Sequence, residues 1–547
     1  MKYATIDIET DANGQPTDLG YYDGEEIFIT TSIVEFVEKI WTNGEVTTFY
    51  AHAGMRFDYC ILYPYLLRLG DSLQISVAGT QGISITVIKG RKQIRLLDSF
   101  RLLPASLMKL SKQFDVDTPK QNLEVMPWEL SQVDRQAYLR DDCISLYQVV
   151  TKFWSIIDDY TGKTIRAVTL PALALKIFQQ CYLPDFLATT DTRNKKINTS
   201  SGKLTDFEQA SYFGGCVWAS AEYAGIELDV LCYDFNSMYP WCMLGDYPYS
   251  YVGAWTCKFK SKSVGLWLVN FKEKSTEAPP FIFDVNDRCL VYEGQAILDT
   301  KTVLYLKATG AEVQVIKGYV YEQTGELFKD FVLDFYNLRL TFGNQSAMGF
   351  TAKILLNSLY GKFGEKPIKR GMSTKQPTNP LSTQIHAVMD AEGNWMEIYD
   401  FESEVFIKHR FPAIASMVTL SARLALRQAS DKVICEGGTV IYCDTDSLHV
   451  VDKNYTYFND SAELGGLKLE FSGPGIYLGK KIYQWYRDGV PYKSVAKGIP
   501  NRSCDFDFRT IERGRRVNFT SFSTLLEVVR GDNFKLVQKH RLLRRTV

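Results

Sequence analysis

This chain of 547 residues lacks any marked excess of positive or negative charge, because 62 Lys and Arg stand against 63 Asp and Glu. No global field draws it to a polyanion, so any nucleic-acid contact must come from local patches. Cysteine pairs are missing too. Eleven cysteines are scattered without a Cys-x-x-Cys spacing, which argues for reduced core thiols in a cytosolic compartment rather than disulfides or zinc. No apolar run reaches membrane-spanning length, and Met1-Lys2-Tyr3-Ala4-Thr5-Ile6-Asp7 meets acid at once. Neither signal peptide nor anchor is therefore expected; the protein should stay in the cytoplasm where it is made, without a membrane partner. Repeats and low-complexity tracts are absent as well. What remains, with 46% hydrophobic and 23% charged residues, is a soluble chain too long for one ordinary core and hence of several domains.

The most informative segment is Tyr442-Cys443-Asp444-Thr445-Asp446-Ser447, flanked by Val440-Ile441 and Leu448-His449-Val450-Val451. It predicts a hairpin with acids at its tip. Carboxylates between two β-type runs need a compensating charge, and a divalent cation is the usual one. Upstream, the apolar run Leu228 to Tyr233 ends at Asp234 and continues Phe235-Asn236-Ser237-Met238-Tyr239-Pro240. Two-metal phosphoryl transfer needs carboxylates from separate elements to hold cations about 3.5–4 Å apart. Asp234 with Asp446, supported by Asp444, meets that need and reads as a magnesium site. A polar turn is the plain alternative for Asp444-Thr445-Asp446 alone; its pairing with the Asp234 block sets that aside.

A third segment, Lys353-Ile-Leu-Leu-Asn357-Ser358-Leu359-Tyr360-Gly361, lies in a stretch from about Gln345 whose composition suits a helix. At 100° per residue Lys353, Asn357 and Tyr360 share one face. A lysine point charge suits a triphosphate, and an aromatic ring can pack beside a base pair. Arg339 falls in nearly the same angular sector, although Gly343-Asn344 can interrupt the helix, and offers a second phosphate contact.

Asp234-Phe-Asn-Ser-Met-Tyr-Pro240, Lys353 to Gly361 and Tyr442 to Ser447, in this order and spacing, resemble motifs A, B and C of family B DNA polymerases. Tyr212-Phe213-Gly214-Gly215, Thr419-Leu-Ser-Ala422-Arg423 and Lys497-Gly498 extend the resemblance to the protein-primed branch, the polymerases of small linear phage genomes and linear plasmids. The resemblance runs from about Asp7 to Lys497. It implies Mg2+, with Mn2+ substituting, a steric gate at Tyr239, dNTP contacts at Arg339, Lys353, Asn357 and Tyr360, and DNA contacts at Tyr212, Gly214, Gly215, Thr419, Arg423 and Lys497. Lys480, Lys481 and Tyr483 are read as further DNA contacts beside a basic C-terminal end. From Arg509 onward, ten Lys and Arg, among them Arg513, Arg515, Arg516, Arg541, Arg544 and Arg545, face three acids. A frayed basic tail is the plain alternative beyond about Lys535.

The N-terminal part carries a second set of acids. Asp7 and Glu9 alternate on a strand-like run and project to one side, Asp58 follows Arg56-Phe57, and Asp142 stands on an expected helix after Tyr138. This set resembles the DEDD 3′-to-5′ exonuclease domain of the same polymerases, in which Tyr138 would orient water, Lys120 would assist, and Ser99-Phe100 would touch DNA. Phe100 departs mildly from the family's Leu. Ala53-Gly54 departs more, because the family has Asn there, and the missing amide implies weakened proofreading.

The expected architecture is a multidomain α/β polymerase with an RNase H-like exonuclease domain at 1–165, a linker and first palm part at 166–246, a first terminal-protein-region insertion at 247–321, fingers at 322–364, a second insertion at 365–408, a second palm part at 409–474, and thumb with basic region at 475–547. Alternation at Trp395-Met-Glu-Ile-Tyr-Asp400 suits a protruding hairpin in the second insertion. The implied partners are DNA template and primer, dNTPs, and a terminal protein as primer, with the enzyme a monomer and, if viral, in the host cytoplasm. Polymerases starting from nucleic-acid primers or none remain an alternative, as does a non-catalytic DNA-binding scaffold, against which the intact acids and Lys353 argue.

Overall fold

The computed structural model describes residues 2–187, 196–200, 202–451, 457–500, 503–504, 506–511, 514–532 and 534–543. Arg513, Arg544 and Arg545 lie outside the described residues.

Tyr3–Thr10 alternates apolar Ala4, Ile6 and Ile8 into one core while Asp7 and Glu9 face the other way. It pairs antiparallel with Pro16–Tyr22 and parallel with Thr48–Ala51, which continues parallel to Lys92–Asp98. The thirty-residue helix Gln132–Thr161 lies across these strands. Its start is set by the Ser131 side chain accepting the Asp134 N–H, and its end by left-handed Gly162. The approach is close enough that a Cβ on Gly20 would meet Leu139 Cγ and Cys143 Sγ at 2.9 Å, so only glycine fits.

This sheet does not stop at the N-terminal unit. Through Gln81–Lys89 and Ser72–Ala78 it reaches Ile368–Ser373, then the hairpin Trp395–Glu404 with Ser382–Met389, making ten strands. The second insertion is a hairpin as its alternation predicts, but it extends the N-terminal sheet instead of standing free. Near the C-terminus, Arg515–Phe522 and Leu536–Leu543 form another hairpin. Between them Leu525, Leu526, Val528 and Val529 are buried in the same N-terminal core, so the segment through Leu543 is ordered structure rather than a frayed tail.

A second sheet runs Val490–Ala496, Ile482–Arg487, Leu467–Gly479, Glu227–Phe235, Ser447–Val451, Thr439–Asp444, Val217–Ala219, all antiparallel. The expected boundary at 474/475 falls inside Leu467–Gly479, and two further strands follow it in the sheet; hydrogen-bonded pairing, which motif order does not report, carries this unit on to Ala496. Helix Pro412–Cys435 packs buried against it. The first insertion holds a four-stranded sheet of Gly253–Thr256, Glu312–Tyr321, Gly265–Lys272 and Glu293–Asp299, with helix Thr300–Ala308 capped by Asp299. Among the described residues no helix is long and apolar enough to cross a membrane.

Candidate active sites

Thr439–Asp444 and Ser447–Val451 meet in a two-residue turn of Thr445 and Asp446. Thr445 takes φ 64°, the positive value such a turn demands, and its N–H donates to the Cys216 carbonyl at 2.7 Å. Glu227–Phe235 lies beside the second strand with Asp234 opposite Ser447, and the Phe235 N–H donates to the Asp446 carbonyl at 2.8 Å. Asp234 and Asp446 therefore stand on adjoining strand ends. Burial, then the neighbouring Asp446, pushes the Asp234 carboxyl up to about 6; burial also raises Asp446. Two half-buried acids on adjoining strand ends fit a cation between them. Asp444 is held differently, by Lys481 Nζ at 3.0 Å and the Thr445 hydroxyl at 3.1 Å. Lys468, which sequence reasoning missed, pairs across the ladder with Asp234 and brings its Nζ to 3.9 Å. Its only sequence signal is a cation on the strand following the acidic hairpin.

Arg339 and Lys353 come together by a route other than a shared helical face. Gly343, at φ 72°, ends helix Lys329–Phe342, and Ser346 caps helix Ala347–Leu356, which folds back against it. Burial and the nearby Arg339 lower the Lys353 ammonium. Arg339 reaches the Ser237 hydroxyl and donates to Asn344 Oδ1 at 2.8 Å. The second helix stops at Leu356, where the Asn357 amide donates to the Lys353 carbonyl at 3.0 Å. Tyr360 thus lies beyond the helix, in the turn Tyr360–Lys362, and not on the Lys353 face by periodicity. Its ring stacks on Tyr239 at 4.6 Å.

Several expected DNA contacts sit elsewhere. Thr419 is fully buried, its hydroxyl donating to the Ser416 carbonyl. Arg423, 2% exposed, donates to the carbonyls of Phe213 at 3.1 Å and Gly214 at 2.6 Å, so it holds the 212–215 loop instead of reaching a phosphate. Tyr483 packs among Tyr442, His449, Tyr477 and Trp485; apolar packing outweighs exposure there. Gly214 is exposed and Tyr212 half-buried. A Cβ on Gly215 would meet Thr445 at 2.8 Å and the Tyr239 hydroxyl at 3.0 Å, so the glycine is demanded by the acid turn and by Tyr239. Lys480 and Lys497 are exposed, the Lys497 N–H donating to the Lys481 carbonyl at 2.9 Å.

At the N-terminal site Asp7, Glu9 and Asp142 place carboxylate oxygens within 4.8 Å of one another. Asp58 is outside that group. Burial, then Asp58, raises Asp7 well above the usual range; burial, then Asp142, pushes Glu9 to about 8, and burial pushes Asp58 to about 7. Asp58 Oδ1 and Asp142 Oδ1 are buried without a hydrogen-bond partner, which fits a metal ion. Lys120 contacts the other Asp142 oxygen and donates to the Tyr138 hydroxyl at 2.6 Å. Ser99 is fully buried, hydrogen-bonded to the Ala51 carbonyl at 3.1 Å and His52 Nδ1 at 2.9 Å, and so is withdrawn from the DNA surface expected of it. Phe100 is half-buried against His52 and under Arg56. Ala53 takes φ 61°, ψ 23°, a left-handed conformation that Asn adopts far more readily than Ala.

A family model described as DNA polymerase type B, organellar and viral, matches residues 41–127 and 124–459. Among similar curated proteins, a probable DNA polymerase of Ascobolus immersus is 24% identical over 90% of this chain, which spans 46% of that protein; for one of Podospora anserina the chain spans 38%. The DNA-directed DNA polymerase of Enterobacteria phage PRD1 is 25% identical, over 91% of this chain and 85% of the phage protein. Bacillus phage phi29 DNA polymerase is 24% identical over 78% of this chain and 75% of its own. Its solved structure with primer-template DNA superposes over 99% of both chains, with a TM-score of 0.75 at 21% identity, which establishes a common fold.

Proposed function

This chain belongs to the organellar and viral type B DNA polymerases, and from that premise we propose that it is a DNA-directed DNA polymerase replicating a linear genome by protein priming. The observation that carries the reading is the meeting of Asp234 and Asp446 on adjoining strand ends beside the Tyr239–Tyr360 stack. Asp234 and Asp446 are the residues that would hold divalent cations, Mg2+ or Mn2+, whose chemistry is to activate an attacking hydroxyl and to stabilise departing pyrophosphate. Lys481 fixes the Asp444 carboxylate. Lys353 and Arg339 face the triphosphate, and Tyr239 occupies the volume of a ribose 2′-OH. The hydroxyl comes first from a terminal protein's Ser, Thr or Tyr and afterwards from a DNA 3′ end.

The N-terminal acids Asp7, Glu9, Asp58 and Asp142 serve a 3′-to-5′ exonuclease, with Lys120 joining Tyr138 to Asp142. Exposed Lys480 and Lys497 supply backbone contacts to DNA. The polymerases of phages PRD1 and phi29, by their names, support the polymerase part of this reading. The test is incorporation of labelled dNMP onto the purified cognate terminal protein with Mg2+. Label covalently attached to that protein supports protein priming; label confined to annealed DNA primers removes protein priming and leaves the polymerase.

A further inference from the structure

The segment Phe213 to Cys216 touches both the acid turn and the sugar gate, yet part of what holds it comes from the first insertion. The Phe213 ring is stacked parallel to Phe283, centroids 4.8 Å apart and 2° between planes, and the Arg288 guanidinium lies 4.5 Å from its centre. Phe283 in turn lies under Arg423 at 5.3 Å, the arginine that grips the carbonyls of Phe213 and Gly214. Two residues beyond Gly214, Cys216 Sγ meets the Pro280 carbonyl at 3.3 Å. The insertion's short hairpin, Ile282–Phe283 with Leu290–Val291, thus runs along the loop that Thr445 and Tyr239 abut.

Arg288 is presented there at a local cost. It has φ 54°, a left-handed conformation that is unfavourable for an ordinary side chain. Its turn is built by Asp284, whose carboxylate accepts the N–H groups of Asn286 at 2.7 Å, Asp287 at 2.9 Å and Gln295 at 2.9 Å, while the Arg288 N–H donates to the Asp284 carbonyl at 3.0 Å. Strain held by a preformed turn on a solvent-exposed residue needs a use, and among the described residues the one ring contact of Arg288 is with Phe213.

We propose that Phe283 and Arg288 are positioning residues for nucleotidyl transfer, acting through Phe213-Gly214-Gly215 to set Thr445 of the acid turn and the Tyr239 hydroxyl. This rests on the polymerase reading above and deepens it, because it makes the inserted region part of the polymerising site. Neither residue touches substrate. Loosening the loop shifts the gate and the turn together, so chemistry and sugar selection change while folding does not.

The test compares the full-length chain with Phe283→Ala, Arg288→Asn, Arg288→Lys and Asp287→Ala in single-nucleotide primer extension, reading kcat and KM for dNTP and rNTP. Arg288→Asn removes the cation but keeps a residue that tolerates positive φ, so the backbone is not perturbed. Expected are a fall in kcat of about 10–100-fold for Phe283→Ala and Arg288→Asn, a changed dNTP/rNTP ratio, recovery to within about threefold in Arg288→Lys, which restores a cation over the ring, and no effect of Asp287→Ala. Release of 3′ nucleotides at the distant acids should be unchanged in all four. Wild-type kcat and an unaltered sugar ratio in Arg288→Asn overturn the proposal. An inactive wild-type chain overturns instead the polymerase reading on which it rests.

Discussion

Tyr239 and Tyr360 stack with ring centroids 4.6 Å apart and 28° between their planes, joining the turn after Asp234 to the turn after helix Ala347–Leu356. The Tyr239 hydroxyl also lies beside Gly215. Its ring is therefore held at one face and its hydroxyl at Gly215, the fixed placement that the proposed steric gate needs.

Tyr239→Val or Tyr239→Ala should raise use of ribonucleotides, shifting the dNTP/rNTP ratio of kcat/KM by about tenfold or more, the scale of one lost pocket contact. Tyr239→Phe keeps the ring and should leave the ratio within about threefold. An unchanged ratio in Tyr239→Ala means that another residue excludes the ribose.

Ala53 offers a second test. Its left-handed backbone suits Asn, so Ala53→Asn should not lower the thermal midpoint, and the restored amide should speed 3′-end release without dNTPs by roughly 10–100-fold. Asp7→Ala sets the zero. Equal rates for the parent and Ala53→Asn, both far above Asp7→Ala, would show that the amide is not needed.

The N-terminal acids make stability depend on pH in a definite direction. Unfolded carboxyls titrate near 4, whereas burial and then Asp142 raise Glu9 to about 8, and burial raises Asp58 to about 7. Between these values the folded state holds more protons than the unfolded one, so the metal-free protein loses stability as pH rises. A divalent cation replaces those protons. Mg2+ should therefore raise the thermal midpoint more at about pH 8 than at about pH 5, and the double variant Asp7→Asn, Asp142→Asn should shrink the difference to what the Asp234–Asp446 pair contributes. Equal shifts at both pH values in the parent contradict the assignment.

Much of this was legible in the chain because turn chemistry and alternation are local. Asp444-Thr445-Asp446 between two β-type runs became the hairpin tip, and Asp7 with Glu9 came to one face of a strand. What depends on tertiary packing was not legible. Thr419, Arg423, Tyr483 and Ser99 read as surface contacts, yet each is buried because the helix or sheet carrying it is covered by another element. Tyr360 was placed by extending a helix four residues past its end, since Asn357 gives no signal that separates a cap from a continuing turn. The pairing of Ile368–Ser373 with Ser72–Ala78 joins distant segments, and no local pattern announces it.

The most direct measurement is extension of a labelled primer on template DNA with dNTPs and Mg2+, comparing the parent with Asp234→Ala and Asp446→Ala at matched DNA binding and thermal midpoint. If, as proposed, both acids serve the chemistry and not the fold, the parent should extend the primer, and each variant should lose about 10³-fold or more in rate while still binding DNA. Extension by either variant at near the parental rate would contradict the site and, with it, the account of what this chain does.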